Sequence, residues 1–189
     1  ELTLGENIHK TYEDGEFTLT PSCNGHGPVH FVSSNPSVVS VDEQTGIVTI
    51  LGAGTATITA RVDETANYLA AASSVTVTVA KKQAKIQVNP ENAYPTEFTY
   101  TGNAVQLPLA ENFMSNSGNT AFNFSWKTAD GKTTGRPVQC GGYILVIQIP
   151  ETADYTEADL QIPITIRSFE SDAAAVPDGK NEGTNGWYH

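Results

Sequence analysis

Hydrophobic and polar residues alternate in short bursts along this chain, and nowhere do they recur at helical spacing over a useful length. In residues 16–20, Phe17 and Leu19 fall on one side while Glu16, Thr18 and Thr20 fall on the other, the period-two pattern of a half-buried strand. Residues 55–62 form the clearest central strand, and residues 75–79 close the first half with strict alternation. Shorter runs at 29–32, 38–41 and 47–50 lie between them. Asn35-Pro36, Thr45-Gly46 and Gly52-Ala53-Gly54 punctuate these runs, at intervals of about 8–12 residues that mark an all-β sandwich. The second half predicts strands at 86–88, 104–107, 122–126, 143–149 and 160–166, and Asp130-Gly131 predicts a tight hairpin between Trp126 and Val138 because both residues tolerate positive φ. Ala70-Ala71-Ala72 are helix formers without a cap or the necessary length.

The two halves are copies. Glu64-Thr65-Ala66-Asn67-Tyr68 returns as Glu151-Thr152-Ala153-Asp154-Tyr155, an offset of 87. At that offset Ala71, Val75, Val77 and Val79 meet Ala158, Ile162, Ile164 and Ile166. Upstream the offset is 88, which sets Tyr12, Phe17 and Leu19 against Tyr100, Val105 and Leu107; one added loop residue accounts for the change. A repeat of this length predicts two tandem immunoglobulin-like β-sandwiches, residues 1–82 and 83–167. Lys81-Lys82-Gln83 is a linker too short to let them tumble freely. Residues 168–189 lose the periodicity and read as a linker or tail. Their closing Gly186-Trp187-Tyr188 is either the start of a further module or a segment folded back on the second.

Composition agrees with this and narrows the partners. Charged residues are 16% of the 189, and Thr, Ser, Asn and Gly take their place, as on solvent-facing strands and turns. Ten basic against 21 acidic residues give a net charge of −11. That charge opposes nucleic acid and anionic membrane surfaces, and no apolar run approaches the ~20 residues that span a bilayer. Membrane insertion is not expected. Residues from Glu1 onward lack the leader pattern of a secretory signal, so the sequence reads as a mature chain or a segment of one. Its two cysteines, Cys23 and Cys140, stand one in each half, so no disulfide can staple either half internally.

One stretch carries a family resemblance. Residues 31–42 (Phe-Val-Ser-Ser-Asn-Pro-Ser-Val-Val-Ser-Val-Asp), then Thr45-Gly46-Ile47-Val48-Thr49, then residues 52–60 beginning Gly-Ala-Gly-Thr resemble the bacterial Ig-like group 2 family of intimin- and invasin-type surface proteins. The resemblance covers residues 1–80 and is weaker for 83–167, where Tyr100-Thr101-Gly102 looks like related Ig-like modules. Phe31 stands where that family commonly has Trp. The resemblance implies a non-catalytic structural or adhesion module of an exported protein on the bacterial cell surface or in the medium. Such a module spaces or presents a binding region, with neighbouring Ig-like modules of the same chain, a host or matrix protein, or a polysaccharide as partners. A carbohydrate-binding accessory module of a surface glycan-processing system is the alternative.

Candidate chemistry is sparse. Cys23, His26 and His30 form C-x-x-H-x-x-x-H, three ligand types that suit zinc, but a Gly-rich loop feeding a strand explains them equally and no fourth ligand is near in sequence. No metal site is assigned. Asp42, Asp63, Glu64 and Asp154 offer loop oxygens for calcium, without the acidic run of a dedicated calcium loop; no cofactor is assigned. Cys140 lacks a histidine in its own half apart from His189 and reads as a small, half-buried hydrophobe. No catalytic residue and no enzymatic activity are expected. Tyr68 and Tyr155 are expected to tuck into the core before the last strand of each copy. Trp126 alternates with Phe122 and Phe124 on one face, a core pattern. If exposed, Trp126 or Tyr143 would be sugar-stacking residues, and Trp187 is the most exposed aromatic expected. These three are the candidate ligand-binding side chains.

Overall fold

A computed structural model describes residues 1–24 and 27–168. Among these the chain is all-β, its sole helical element the 3-10 turn η1 (Ala110–Asn112). The first repeat supplies β1 (Leu2–Thr3), β2 (Ile8–Thr11), β3 (Phe17–Thr18), β4 (Ser22–Cys23), β5 (Val29–Ser33), β6 (Val39–Val41), β7 (Ile47–Ile50), β8 (Gly54–Val62) and β9 (Ala71–Ala80). One sheet runs β2-β9-β8-β5, a second β3-β7-β6, and β1 pairs with β4 alone.

The alternation in the sequence becomes the two faces of these sheets. Along β8, Ala56, Ile58, Ala60 and Val62 are buried while threonines and Arg61 face outward. Along β9, Val75, Val77 and Val79 are buried, and the antiparallel register sets Ala56 against Val77 and Ile58 against Val75. Val39 of β6 and Val48 of β7 come from the facing sheet into the same core cluster. Each such side chain contributes about 1.5–3 kcal/mol by leaving water. Phe31 is the core aromatic of β5, so the departure from Trp keeps its function. Gly46 has φ +70°, and a Cβ there would lie 2.9 Å from both the Leu19 carbonyl and the Phe31 ring. A glycine is needed on both counts.

The second repeat supplies β10 (Ile86–Val88), β11 (Glu97–Thr99), β12 (Phe113–Ser115), β13 (Asn123–Thr128), β14 (Thr133–Thr134), β15 (Gly141–Ile149) and β16 (Ala158–Arg167). Their sheets are β10-β12 and β11-β16-β15-β13-β14. The repeat is legible strand by strand. β8 and β15 both start on a glycine at φ +144°, and β15 and β16 lie 87 residues beyond β8 and β9. β2 runs parallel to β9 with His9 opposite Thr78, and β11 runs parallel to β16 with Glu97 opposite Thr165. These pairs differ by 88 and 87 residues, the two offsets of the sequence. The next hydrogen bond is copied too: Tyr12 N–H to Ala80 O at 2.9 Å, Tyr100 N–H to Arg167 O at 2.8 Å.

Several expectations need revision. Residues 104–107 form no strand; Val105 N–H bonds the Pro137 carbonyl and Leu107 is exposed, and Pro108 then removes a donor that a ladder would need. The edge beside β16 is taken by β11, as β2 takes the edge beside β9. Only Phe17 and Thr18 of residues 16–20 are strand, although Leu19 N–H carries the same register one position further, to Gly46 O. Asp130-Gly131 forms its hairpin: β13 pairs with β14, and Gly131 has φ +85°. By packing, the described residues fall into two compact units, one of 1–94, 108–124 and 146–161, the other of 95–107, 125–145 and 162–168. The first of these units takes in residues 83–94, 108–124 and 146–161 of the second repeat.

Candidate functional site

A polar cluster of the first unit lies where residues 151–156 meet the end of the first repeat. It begins with a local turn. Thr152 N–H bonds Tyr155 O at 2.9 Å, and Tyr155 N–H bonds Thr152 Oγ1 at 3.1 Å, so Glu-Thr-Ala-Asp-Tyr closes on itself and projects its charged ends. The backbone then locks to the linker. Lys82 N–H donates to Asp154 O at 2.9 Å, Thr156 N–H donates to Lys82 O at 3.0 Å, and Lys82 and Tyr155 form a parallel bridge.

Side chains complete the joint. Asp154 Oδ1 accepts from Ala53 N–H at 2.7 Å, and Gly52 beside it leaves the room, since a Cβ there would stand 3.2 Å from that oxygen. Lys81 Nζ reaches Glu151 Oε2 at 3.1 Å and Thr152 O at 2.7 Å. Glu13 takes Lys82 Nζ on one carboxylate oxygen and the Tyr155 hydroxyl on the other. The Tyr155 ring meets Tyr12 edge-on at 5.5 Å between centroids. Glu13 adopts φ +68°, a left-handed conformation that disfavours a residue with a Cβ by roughly 1–2 kcal/mol. The turn that holds it is closed by Asp14 N–H on Thr11 O at 2.9 Å and Thr11 N–H on Asp14 Oδ2 at 2.7 Å.

The charges are mutually tuned. The Lys82 ammonium, and after it the Tyr155 hydroxyl, hold the Glu13 carboxyl below its ordinary range. The same hydrogen bond, with burial second, pushes the Tyr155 phenol up to about 12. Each shift favours ionised Glu13 with neutral Tyr155, the state that makes both bonds. The arrangement contains charge pairs and backbone contacts and no nucleophile–base pair; chemically it is a brace.

The residues singled out from the sequence are distributed elsewhere. Trp126 is 5% exposed and is therefore a core group without an open stacking face. Tyr143 is half-buried, its hydroxyl donating to Gln139 O at 3.1 Å. Trp187 lies outside the described residues, as does the rest of the tail from 169. His26 is also outside them, so the C-x-x-H-x-x-x-H set lies partly outside the described residues; His30 Nδ1 lies 3.3 Å from Glu43 Oε1. Among the described residues no group of three metal-ligating side chains occurs. Asp42 Oδ1 is taken by Gln44 N–H, Thr45 N–H and the Thr45 hydroxyl, and Asp154 by Ala53, so those carboxylates cap loops. Cys140 is exposed, unlike the half-buried residue expected, in the bend that precedes β15. Tyr155 is buried as expected, against Tyr12 and Glu13, but Tyr68 is 47% exposed. Glu13, Ala53, Lys81 and Lys82 carry no signal of a site in the sequence: Lys81 and Lys82 read as a linker, and only the repeat of the Glu-Thr-Ala-x-Tyr loop points toward this region.

Residues 14–63 match the family model described as "Intimin, immunoglobulin-like domain", and this part of the chain is thus similar to bacterial Ig-like domains of the intimin/invasin type. No curated protein matches the chain. Similar solved structures include human protocadherin-24 EC1-2 (16% identity, TM-score 0.34, 87% of this chain and 94% of that one). Drosophila N-cadherin EC1-3 is another (12%, 0.31, 88% and 67%). A third is a SusE-like surface located polysaccharide binding protein of Bacteroides thetaiotaomicron (12%, 0.32, 88% of this chain and 33% of that one). Likenesses at this level carry no functional argument. No helix among the described residues is long and apolar enough to cross a membrane.

Proposed function

We propose that this chain is a non-catalytic segment of an exported bacterial surface protein, two Ig-like repeats that space or present a binding region away from the cell. The observation that carries the reading is the brace: the 151–156 loop is fastened to Glu13, Ala53, Lys81 and Lys82 by backbone bonds, ion pairs and a buried tyrosine. A fastening of this kind holds residues 151–156 to the first repeat more firmly than a bare linker does. The intimin-type match over residues 14–63 supports the adhesion-type setting.

The alternative, a carbohydrate-binding accessory module, draws on a groove of about 400 Å³ walled by Asn123, Gln148, Glu157 and Asp159, side chains suited to hydroxyl groups. One experiment separates the two readings. The purified chain is presented to a panel of polysaccharides and matrix glycoproteins, with and without calcium, and the polysaccharides are assayed for cleavage. The spacer reading expects neither binding nor turnover. Saturable polysaccharide binding that is lost in Asn123→Ala/Gln148→Ala would replace it with the second reading, and turnover would end both.

A further inference from the structure

The connection between β8 and β9 is the longest run of open chain among the described residues. Asp63 to Ala70 are exposed without a break, and they lie outside the ladder that ends at Val62 and resumes at Ala71. Leu69 is 87% exposed, more than any other large hydrophobic side chain described. A hollow of about 280 Å³, walled in part by Val62, Asp63, Leu69, Ala70 and Ala71, borders this end of the loop. Thr65 N–H bonds Tyr68 O at 2.8 Å and closes the middle of the loop; Leu69 and Ala70 come after that turn and before the ladder.

An endoproteinase binds its substrate as an extended strand, with the side chain before the cut in a pocket. Exposed loop tips outside secondary structure supply such a strand most readily. Other open leucines do not. Leu51 N–H is bonded to Val38 O at 2.8 Å, and Leu109 N–H to Asn112 Oδ1 at 2.6 Å. Leu107 is followed by Pro108, which lacks the N–H and restricts the residue before it. In the second repeat the equivalent of Leu69 is Thr156, whose N–H is fixed to Lys82 O at 3.0 Å.

We propose that residues 63–70 are a processing site, cut on either side of Leu69 by an endoproteinase that prefers a large apolar or aromatic side chain before the cut, and that the cut chain stays folded as two pieces. Water adds across the peptide C–N bond, its hydroxyl going to the carbonyl carbon and its proton to the released amine. Retention follows from the flanking strands. β8 and β9 pair at nine positions, from Gly54 with Val79 to Val62 with Ala71, and β9 pairs with β2 at four. Val75, Val77 and Val79 of β9 are buried in the core. These contacts leave out residues 63–70, so the cut ends covalent continuity and spares the packing. The inference goes beyond the spacer reading, for it gives the spacer a place where its chain is severed.

The test is limited chymotrypsin digestion of the full chain under native conditions, read by intact mass and by sequencing of new amino termini. The expected first cut within residues 1–168 yields a fragment starting at Leu69 or Ala70. Gel filtration then returns both pieces as one species, which separates only in denaturant. Leu69→Pro should remove both cuts, because proline disfavours cleavage of the bond before it and does not fill a large apolar pocket; thermal melting verifies that this variant is folded. A first cut elsewhere within 1–168, or unchanged cutting of folded Leu69→Pro, overturns the site. Separation of the pieces on gel filtration overturns their retention. A first cut after Tyr155 overturns the brace as well, whereas a first cut after Leu51 or Leu109 overturns the processing site and leaves the brace standing.

Discussion

Residues 64–68 and 151–155 are one sentence of sequence written twice, folded into one turn and given opposite environments. The turn is local: Thr and the residue three positions on close it in both copies. Burial is not local: Tyr155 rests on Tyr12 and Glu13, while Tyr68 stands 47% open. A five-residue motif therefore dictates its own backbone, and the fold around it decides whether it stabilises anything. The same holds for the glycines that open β8 and β15. Both have φ +144°, but a Cβ on Gly54 would stand 2.9 Å from Val38, and one on Gly141 no nearer than 3.8 Å to Tyr143.

Matched substitutions sharpen the comparison, and the largest effects fall where the copies agree. Ile58 and Leu145, equivalent residues and both fully buried, should each lose about 2–5 kcal/mol on change to Ala, measured by urea unfolding. Gly54→Ala should destabilise more than Gly141→Ala. Both suffer the backbone penalty of roughly 1–3 kcal/mol for an unfavourable φ, and only Gly54 adds a clash; paired thermal melts give the order.

A smaller and more telling difference is expected between the loops. Asp154→Ala removes the acceptor of Ala53 N–H and should cost roughly 1–3 kcal/mol, with Asp154→Asn recovering most of it. Asn67→Ala in the unaltered chain should stay within about 0.5 kcal/mol of neutral. Equal losses from Asp154→Ala and Asn67→Ala would erase the distinction between braced and open copies.

The mildest probe is pH. Glu13 is held below its ordinary value of 4.5, so its contribution is present above that value and fades as pH falls through the lower folded value. Tyr155 shifts the other way. Its contribution is present below pH 10 and is lost as pH climbs through about 12. Glu13→Gln should therefore flatten both limbs of the stability–pH curve while leaving the neutral plateau lower.

Much of the architecture was legible because alternation and repetition are both written in side-chain order. β7 and β10 fall at the residues expected, and the offsets of 87 and 88 reappear in the parallel registers of β2 with β9 and β11 with β16. Strands of two or three residues such as β1, β4 and β14 are too short for a period to show. Residues 104–107 had the pattern of a strand without a ladder to join. The brace was largely illegible, because its partners are distant: Glu13, Ala53 and Lys82 meet Asp154 and Tyr155 only through folding, and nothing in Lys81-Lys82-Gln83 distinguishes a clasp from a linker. Trp126 showed its core pattern in its alternation with Phe122 and Phe124; its burial left the sugar-stacking role without a platform.

The central claim is that the second copy of the loop is fastened to Glu13, Ala53 and Lys82. Amide hydrogen exchange on the full chain tests it most directly, by comparing Ala53, Lys82 and Thr156 with Thr65 and Tyr68. The account predicts that the first three, whose N–H groups donate into the brace, exchange at least about tenfold more slowly, a difference in opening free energy of about 1.4 kcal/mol. Exchange of Lys82 and Thr156 as fast as Thr65 would mean that the brace opens freely and that residues 151–156 are not fastened.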